Sequence, residues 1–323
     1  MKKTNICVIG AGAWGVNHIS SLLSLGVNVS CVDINKTKEK EIKKLFPHVN
    51  FFSSVSDTFE FGFDGYIVST PPSTHCELAK IILSMRKPVL VEKPLALSFS
   101  EAKEIKSALI KNNGKLMVGH LLLFHPAIIK IKEMIKKNEI GKIQYVYSNR
   151  LNLGKVRKEE NVFWSFAPHD ISVFQYLSGS FPEKVSSKGS IFLQKDIHDT
   201  TITYLEYPNG IQGHIFVSWL HPFKEHRLVV VGTKGSLHFE DSPNKKLLFF
   251  KHVNNYELNN ELVLKNKFSK EIKFESIQPL EKQLKHFLNM IEGNSEKRAN
   301  IDKAIEVIKI LESASKQLKS KTF

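Results

Sequence analysis

The stretch "VIGAGAWGVNH", residues 8–18, passes from an apolar run into glycines at 10, 12 and 15, and its surroundings decide how it reads. Before it, "TNICVIG" has the texture of a buried strand. After it, "AWGVNHISSLLSLG" repeats apolar residues at helical spacing up to a stop at Gly26. A second apolar run, "VNVSCVD", ends on Asp33, about twenty residues beyond the glycines. Strand, glycine turn, helix, strand and acid together are what a dinucleotide-binding turn requires; the glycines alone would mark only a tight turn. In that arrangement Gly10 permits the turn, Gly12 lets backbone approach a pyrophosphate, and Gly15 lets helix and strand pack closely. The free N–H groups and positive dipole end of the helix face the phosphates. Asp33 accepts hydrogen bonds from ribose hydroxyls and repels a 2′-phosphate, so the expected cofactor is NAD rather than NADP, with Lys36 the one nearby residue pulling the other way.

The rest of the chain is consistent with a soluble two-domain protein of 323 residues, 42% hydrophobic and 24% charged. The opening "MKKTNICVIGAGAWGV" imitates a secretory signal, but Asn5 interrupts it and its glycines belong to the turn. No apolar run reaches the roughly 20 residues that span a bilayer. Cys7, Cys31 and Cys76 lack metal-ligand spacing and read as reduced structural thiols, so the expected location is the cytoplasm, with neither a metal nor a membrane involved. The net charge of +14 raises the question of nucleic acid. Its lysines are mixed with glutamates or lie on polar faces of helical patterns, as in "INKTKEKEIKK", which is a solvated surface rather than a nucleic-acid footprint. A basic surface still attracts an anionic small substrate.

From 1 to 120 apolar strands (4–9, 27–33, 65–69, 88–92, 115–119) alternate with helical stretches (36–46, 73–85, 98–112), as a doubly wound parallel α/β sheet demands. From 121 to 323 the texture is α+β. A helix runs from "HPAIIKIKEMIKKNEIG" to Gly141, "IQYVYSNRLNL" is a strand, and "HDISVFQYLSG" is a short helix. Hairpin signals at "PNG" and "TKG" predict an open, mostly antiparallel sheet, and two helices close the chain.

In a doubly wound sheet the ligand lies beyond the carboxyl ends of the strands. Two of those ends carry unusual residues. "GYIVSTPPSTH" leads through Thr70, Pro71 and Pro72 to His75, and "KPVLVEKPL" leads into Glu92, Lys93 and Pro94. The candidate cofactor contacts are therefore Gly10, Ala11, Gly12, Ala13, Trp14, Gly15, Asp33, Thr70, Pro71, His75, Glu92 and Lys93. Lysine acts as a general acid or base when burial or neighbouring charge lowers its pKa, which makes Lys93 the first catalytic candidate; an ordinary Glu92–Lys93 ion pair is the alternative.

These motifs, with "VGHLLLFHPAI" at 118–128, the His169–Asp170 pair and the C-terminal "PLEKQLKHFLNMIEG", resemble the Gfo/Idh/MocA family of oxidoreductases over nearly the whole chain. The resemblance implies an N-terminal Rossmann domain that binds a nicotinamide cofactor and a C-terminal domain that covers the substrate and often builds a homodimer or homotetramer. It implies that Lys93 and His169 contact the reacting hydroxyl. Family members commonly carry an Asp four residues before that histidine, where this chain has Ser165, and Asn or Arg where it has Leu121, Leu122 and Leu123. Those two variants resemble the branch that oxidises nucleotide-linked hexosamines such as UDP-N-acetylglucosamine at the 3-hydroxyl. Such products feed an aminotransferase that makes 3-amino sugars of lipid A or surface polysaccharide. The expected substrate contacts are Lys93, Arg150, Asn152, Arg157, Trp164, His169 and Asp170, with Lys155 nearby; arginine suits a diphosphate because its planar fork donates paired hydrogen bonds. Action on a free sugar, an inositol or a nucleotide uronic acid, and a cofactor-binding sensor without catalysis, are the alternatives.

Overall fold

Asn5–Ile9 (β1), the strand that opens into the glycine turn, lies at the centre of a parallel sheet. The others are Asn28–Val32 (β2), Asn50–Phe52 (β3), Gly65–Val68 (β4), Val89–Val91 (β5) and Leu116–Val118 (β6), in the order β3-β2-β1-β4-β5-β6. Such strands are covered on both faces, which is why they read as unbroken apolar runs: Ile6, Cys7, Val8, Ile67 and Val68 have no exposed surface. The covering helices are Ala13–Ser24 (α1), Thr37–Leu45 (α2), His75–Ser84 (α3) and Phe99–Lys111 (α4). The strand order reverses between β1 and β4, and it is outside the carboxyl ends at such a reversal that a doubly wound sheet binds its ligand. The structure is a computed structural model that describes residues 3–154, 156–158, 160–241, 245–256, 262–294 and 298–319. Strand β3 is an element that the alternating pattern did not predict, because three residues of "NFF" are too few to show a period.

Pro126–Lys136 (α5), Ile143–Leu153 (β7) and Val162–Ser178 (α6) begin the second half. The predicted helix at "HDISVFQYLSG" starts earlier than its sequence signals, at an Asn161 cap whose side chain accepts from the Trp164 N–H at 3.1 Å. Pro168 hides this start: a proline reads as a helix boundary, yet here it sits inside α6. The strands are Lys184–Ser190 (β8), Thr200–Glu206 (β9), Gln212–Ser218 (β10), Leu220–Gly232 (β11), Gly235–Glu240 (β12), Lys246–Tyr256 (β13) and Leu262–Glu271 (β14). They form an eight-stranded sheet in the order β14-β13-β12-β11-β7-β10-β9-β8. All pairs are antiparallel except β10 with β7. The "PNG" and "TKG" signals lie at the β9–β10 and β11–β12 turns.

Two helices end the chain, Pro279–Ile291 (α7) and Ile301–Lys319 (α8). The compact units are Met1–Phe124 with Ile277–Ile308, and His125–Ser276 with Lys309–Phe323, so the single change of domain read at 120 is only the first of several. Helix α7 joins the parallel sheet because Gly65 leaves room for it: a Cβ there would stand 2.8 Å from Ile291 and 3.2 Å from Phe287. No described helix is long and apolar enough to cross a membrane.

Candidate functional site

The glycine turn has the shape its spacing predicts, and each glycine is needed for a different reason. Gly10 has φ +102°, and a Cβ on it would strike the backbone of Ser69 and Thr70 at 2.9 Å. A Cβ on Gly15 would lie 1.8 Å from the Gly10 carbonyl oxygen. A Cβ on Gly12 would meet nothing within 4 Å, so this residue faces open space at the start of α1. Gly12, Ala13 and Trp14 are exposed there, no side chain among the described residues caps the helix, and no acidic residue sits in its first turn. That combination leaves helix N–H groups available to an anion. Asp33 follows β2 beside this turn: its Oδ2 accepts from the Ala11 N–H at 2.7 Å and its Oδ1 from the Asn35 N–H at 2.8 Å. The residues present thus fit a dinucleotide, with space for a pyrophosphate at Gly12 and an acid beside it.

Further along the same strand ends, Glu92 follows β5 and is buried. Its Oε1 lies 2.8 Å from Nε2 of the buried His18 on α1, and its Oε2 accepts from the Lys93 N–H at 3.2 Å. Burial pushes the Glu92 carboxyl up, but the His18 hydrogen bond and the charges of His18 and Lys93 more than offset it and hold the group below the ordinary carboxylate range. Lys93 is half-buried, and its bond to Pro94 is cis. His75 is a brace: Nδ1 stands 2.8 Å from the Pro94 carbonyl oxygen and Nε2 2.9 Å from that of Thr70, tying the ends of β4 and β5 together. Thr70 Oγ1 in turn lies 2.7 Å from Thr74 Oγ1, while Pro71 is exposed.

Sequence reasoning missed three neighbours of this carboxylate, His18 among them. Gly119 follows β6, and a Cβ there would lie 2.9 Å from the Glu92 carboxyl group, so only glycine lets the ends of β5 and β6 close on each other. His120 comes next, buried, with neither ring nitrogen hydrogen-bonded among the described residues. Burial lowers its pKa to about 4 despite the pull of Glu92, and the Lys93 charge lowers it further, so it is neutral at pH 7. His18 and His120 both fall within the quoted stretches "VIGAGAWGVNH" and "VGHLLLFHPAI", but nothing local announces that they converge on Glu92.

In the second unit, α6 presents His169, half-buried, followed by the buried Asp170. Asp170 is held by Arg150 from β7: Nε donates to Oδ2 at 2.7 Å and Nη2 to Oδ1 at 3.1 Å, while Nη1 lies 3.4 Å from His226 Nδ1. Burial works against the Arg150 charge, and the Asp170 carboxylate more than compensates and raises its pKa. Trp164 donates its indole N–H to Ser315 Oγ at 2.8 Å. Asn152 is half-buried near the end of β7, Arg157 is exposed with Glu160 3.9 Å away, and Ser165 is buried. Lys155 lies outside the described residues.

Residues 4–120 match the model of the oxidoreductase family with an NAD-binding Rossmann fold, and residues 128–238 match the GFO/IDH/MocA C-terminal domain. The chain belongs to the Gfo/Idh/MocA family of oxidoreductases. Its first unit is accordingly an NAD-binding Rossmann domain. Among curated relatives, the scyllo-inositol 2-dehydrogenase (NAD(+)) of Bacillus subtilis is 29% identical over 252 residues, 73% of either chain. Among solved structures, UDP-N-acetylglucosamine 3-dehydrogenase GnnA from Acidithiobacillus ferrooxidans superposes with a TM-score of 0.86 at 19% identity, over 99% of both chains. The WlbA dehydrogenase from Bordetella pertussis, in complex with NADH and UDP-GlcNAcA, gives 0.79 at 18% identity over 99% of this chain and 97% of its own. Identities this low establish a shared fold and leave the substrate to be argued from the residues.

Proposed function

We propose that this oxidoreductase oxidises a secondary alcohol on a sugar-like ring, and that its substrate is a nucleotide-linked amino sugar of the UDP-N-acetylglucosamine type, oxidised at the 3-hydroxyl. The observation that carries the dehydrogenase reading is Lys93 beside the buried Glu92–His18 pair, at a strand end of the domain that holds the cofactor turn. NAD, when bound, takes the hydride. The chain's part is the proton, which Lys93 accepts from the hydroxyl; the family resemblance assigns His169 a contact with the substrate hydroxyl. The sugar-nucleotide assignment is supported by Ser165 in place of the family carboxylate, by Leu121–Leu123, and by the basic character of the chain, with exposed Arg157 available to an anionic group.

The inositol relative at 29% identity favours a second reading, a free cyclic polyol, and so does Arg150, whose donors are directed at Asp170 and His226 rather than at a diphosphate. A panel of UDP-N-acetylglucosamine, UDP-linked uronic acids, free hexoses and inositols, read by the absorbance of reduced nicotinamide, decides between them. Turnover of the sugar nucleotide alone supports the first reading, and turnover of an inositol alone replaces it. The keto product of the first reading suits an aminotransferase as the next step.

The same reading includes a homo-oligomer. One face of the eight-stranded sheet packs on α6; on the other, Tyr147 stacks on His214 at 5.2 Å between ring centroids, with Tyr145 and the half-exposed Tyr204 beside them. An aromatic face of this kind is suited to a second copy. Light scattering that returns 36.8 kDa at micromolar concentration rejects this.

A further inference from the structure

We propose that Arg150 and Asp170 form a clamp that fixes the middle of α6, and with it His169, against an interior strand of the second sheet. Arg150 is then a positioning residue rather than a contact for the substrate's anionic groups.

The helix needs such a clamp because of its own sequence. Pro168 has no N–H, so the carbonyl one turn earlier loses its helical partner just before His169, and the helix is weakest there. Asp170 follows immediately on the side of α6 that meets β7. Successive helical residues point about 100° apart, so a hold on Asp170 sets the direction of His169 without competing for its ring. The hold is two-pronged, with Nε and Nη2 of Arg150 on the two carboxylate oxygens at 2.7 and 3.1 Å, and the paired fork fixes angle as well as distance.

Three further observations agree. The Arg150 side chain is 11% exposed and that of Asp170 5%, so neither charge is displayed to a soluble anion. The remaining guanidinium nitrogen faces His226 Nδ1 at 3.4 Å, on the strand paired with β7 opposite Arg150. A buried ion pair adds little stability over apolar residues of the same size, so its value here lies in geometry. The N-terminus of α6 is held independently, by the Asn161 cap and by the Val162 N–H donating to the His198 carbonyl at 3.0 Å. Pinned at its start and again just past the proline, the intervening turn has one direction in which to present residue 169.

The proposal rests on the reading of His169 as a group that holds the substrate hydroxyl, and the experiment separates the two. Arg150→Gln leaves a buried carboxylate unpaired and can prevent folding, so the double variant Arg150→Met/Asp170→Asn, which removes both charges, is measured beside it. The first readout needs no substrate: the ring ¹³C–¹H resonance of His169 in the cofactor-free protein, assigned by its loss in His169→Ala, shifts or broadens in either clamp variant. The second uses UDP-N-acetylglucosamine and myo-inositol as probes. With the probe that turns over, kcat falls by about 10- to 100-fold and KM changes by less than about threefold, the pattern of a misplaced catalytic group. In the His169→Ala background the clamp variants cost nothing more. An unmoved His169 resonance overturns the clamp, as does a tenfold rise in KM at constant kcat that persists without His169, which marks a substrate contact. Wild-type kinetics in His169→Ala reject the role of His169 instead, and leave the resonance as the test of the clamp.

Discussion

His18 Nε2 stands 2.8 Å from Glu92 Oε1, a contact between the first helix of the Rossmann domain and the end of its fifth strand, with His18 fully buried and Glu92 8% exposed. It links the helix that begins at the cofactor turn to the residue that precedes Lys93. Replacing Glu92 by Gln preserves size but removes the charge that the His18 ring and the Lys93 N–H both address. The expected loss is about 1–3 kcal/mol of folding stability, measured by urea denaturation at pH 7. Unchanged stability would show that the pair is not an anchor.

Gly12 and Gly15 separate cofactor binding from folding. A methyl group at Gly15 collides with the Gly10 carbonyl oxygen, so Gly15→Ala should both destabilise the protein and abolish NADH binding. A methyl group at Gly12 enters open space, so Gly12→Ala should melt at the wild-type temperature yet bind NADH about tenfold or more weakly, because it fills the approach of the pyrophosphate. NADH fluorescence titration together with a thermal melt distinguishes the two variants. Equal NADH affinity in Gly12→Ala and wild type would place the pyrophosphate elsewhere.

Asp33 directs both carboxylate oxygens at the backbone beside this turn, and its charge is expected to exclude a 2′-phosphate. The wild type should turn over NAD faster than NADP at equal low concentrations, and Asp33→Ser should narrow the difference while weakening NAD. Faster turnover of NADP by the wild type contradicts this assignment.

The Rossmann half was legible because its signals are local: a glycine turn, an acid a fixed distance on, and apolar runs whose faces are both covered. The α6 helix was legible only in its second half, since Pro168 mimics a boundary that the Asn161 cap and the packing against the sheet override. The convergence of His18, Gly119 and His120 on Glu92 joins three elements, and no spacing along the chain reports it. Arg150 reads in sequence as a substrate contact suited to a diphosphate. Its capture by Asp170, twenty positions away, depends on the strand and the helix meeting.

Several buried or half-buried histidines are neutral in the folded chain, and this fixes how stability depends on pH. His120 and His125 are each lowered to about 4 and His226 to about 3, with burial the largest cause in every case. Between the ordinary histidine value and these lowered ones, the unfolded chain binds protons that the folded chain refuses, so stability falls as pH falls through that window and levels off below it. For His120, about 4 against the ordinary 6.5 corresponds to about 3 kcal/mol lost by pH 4. Urea denaturation from pH 7 to 4 should show the decline, and His120→Asn should flatten it. The same slope in both proteins would mean that His120 is not neutral when folded.

Lys93→Met tests the central claim, that a lysine beside Glu92 takes the proton of the alcohol. With the ring alcohol identified by the substrate panel, kcat/KM should fall by about 10²–10⁴-fold, the usual contribution of a positioned acid or base. NADH should bind almost as in the wild type, because the glycine turn that faces the pyrophosphate is untouched. A Lys93→Met protein that binds NADH normally and oxidises the alcohol within about threefold of the wild-type rate contradicts the account, since no positioned general base contributes so little.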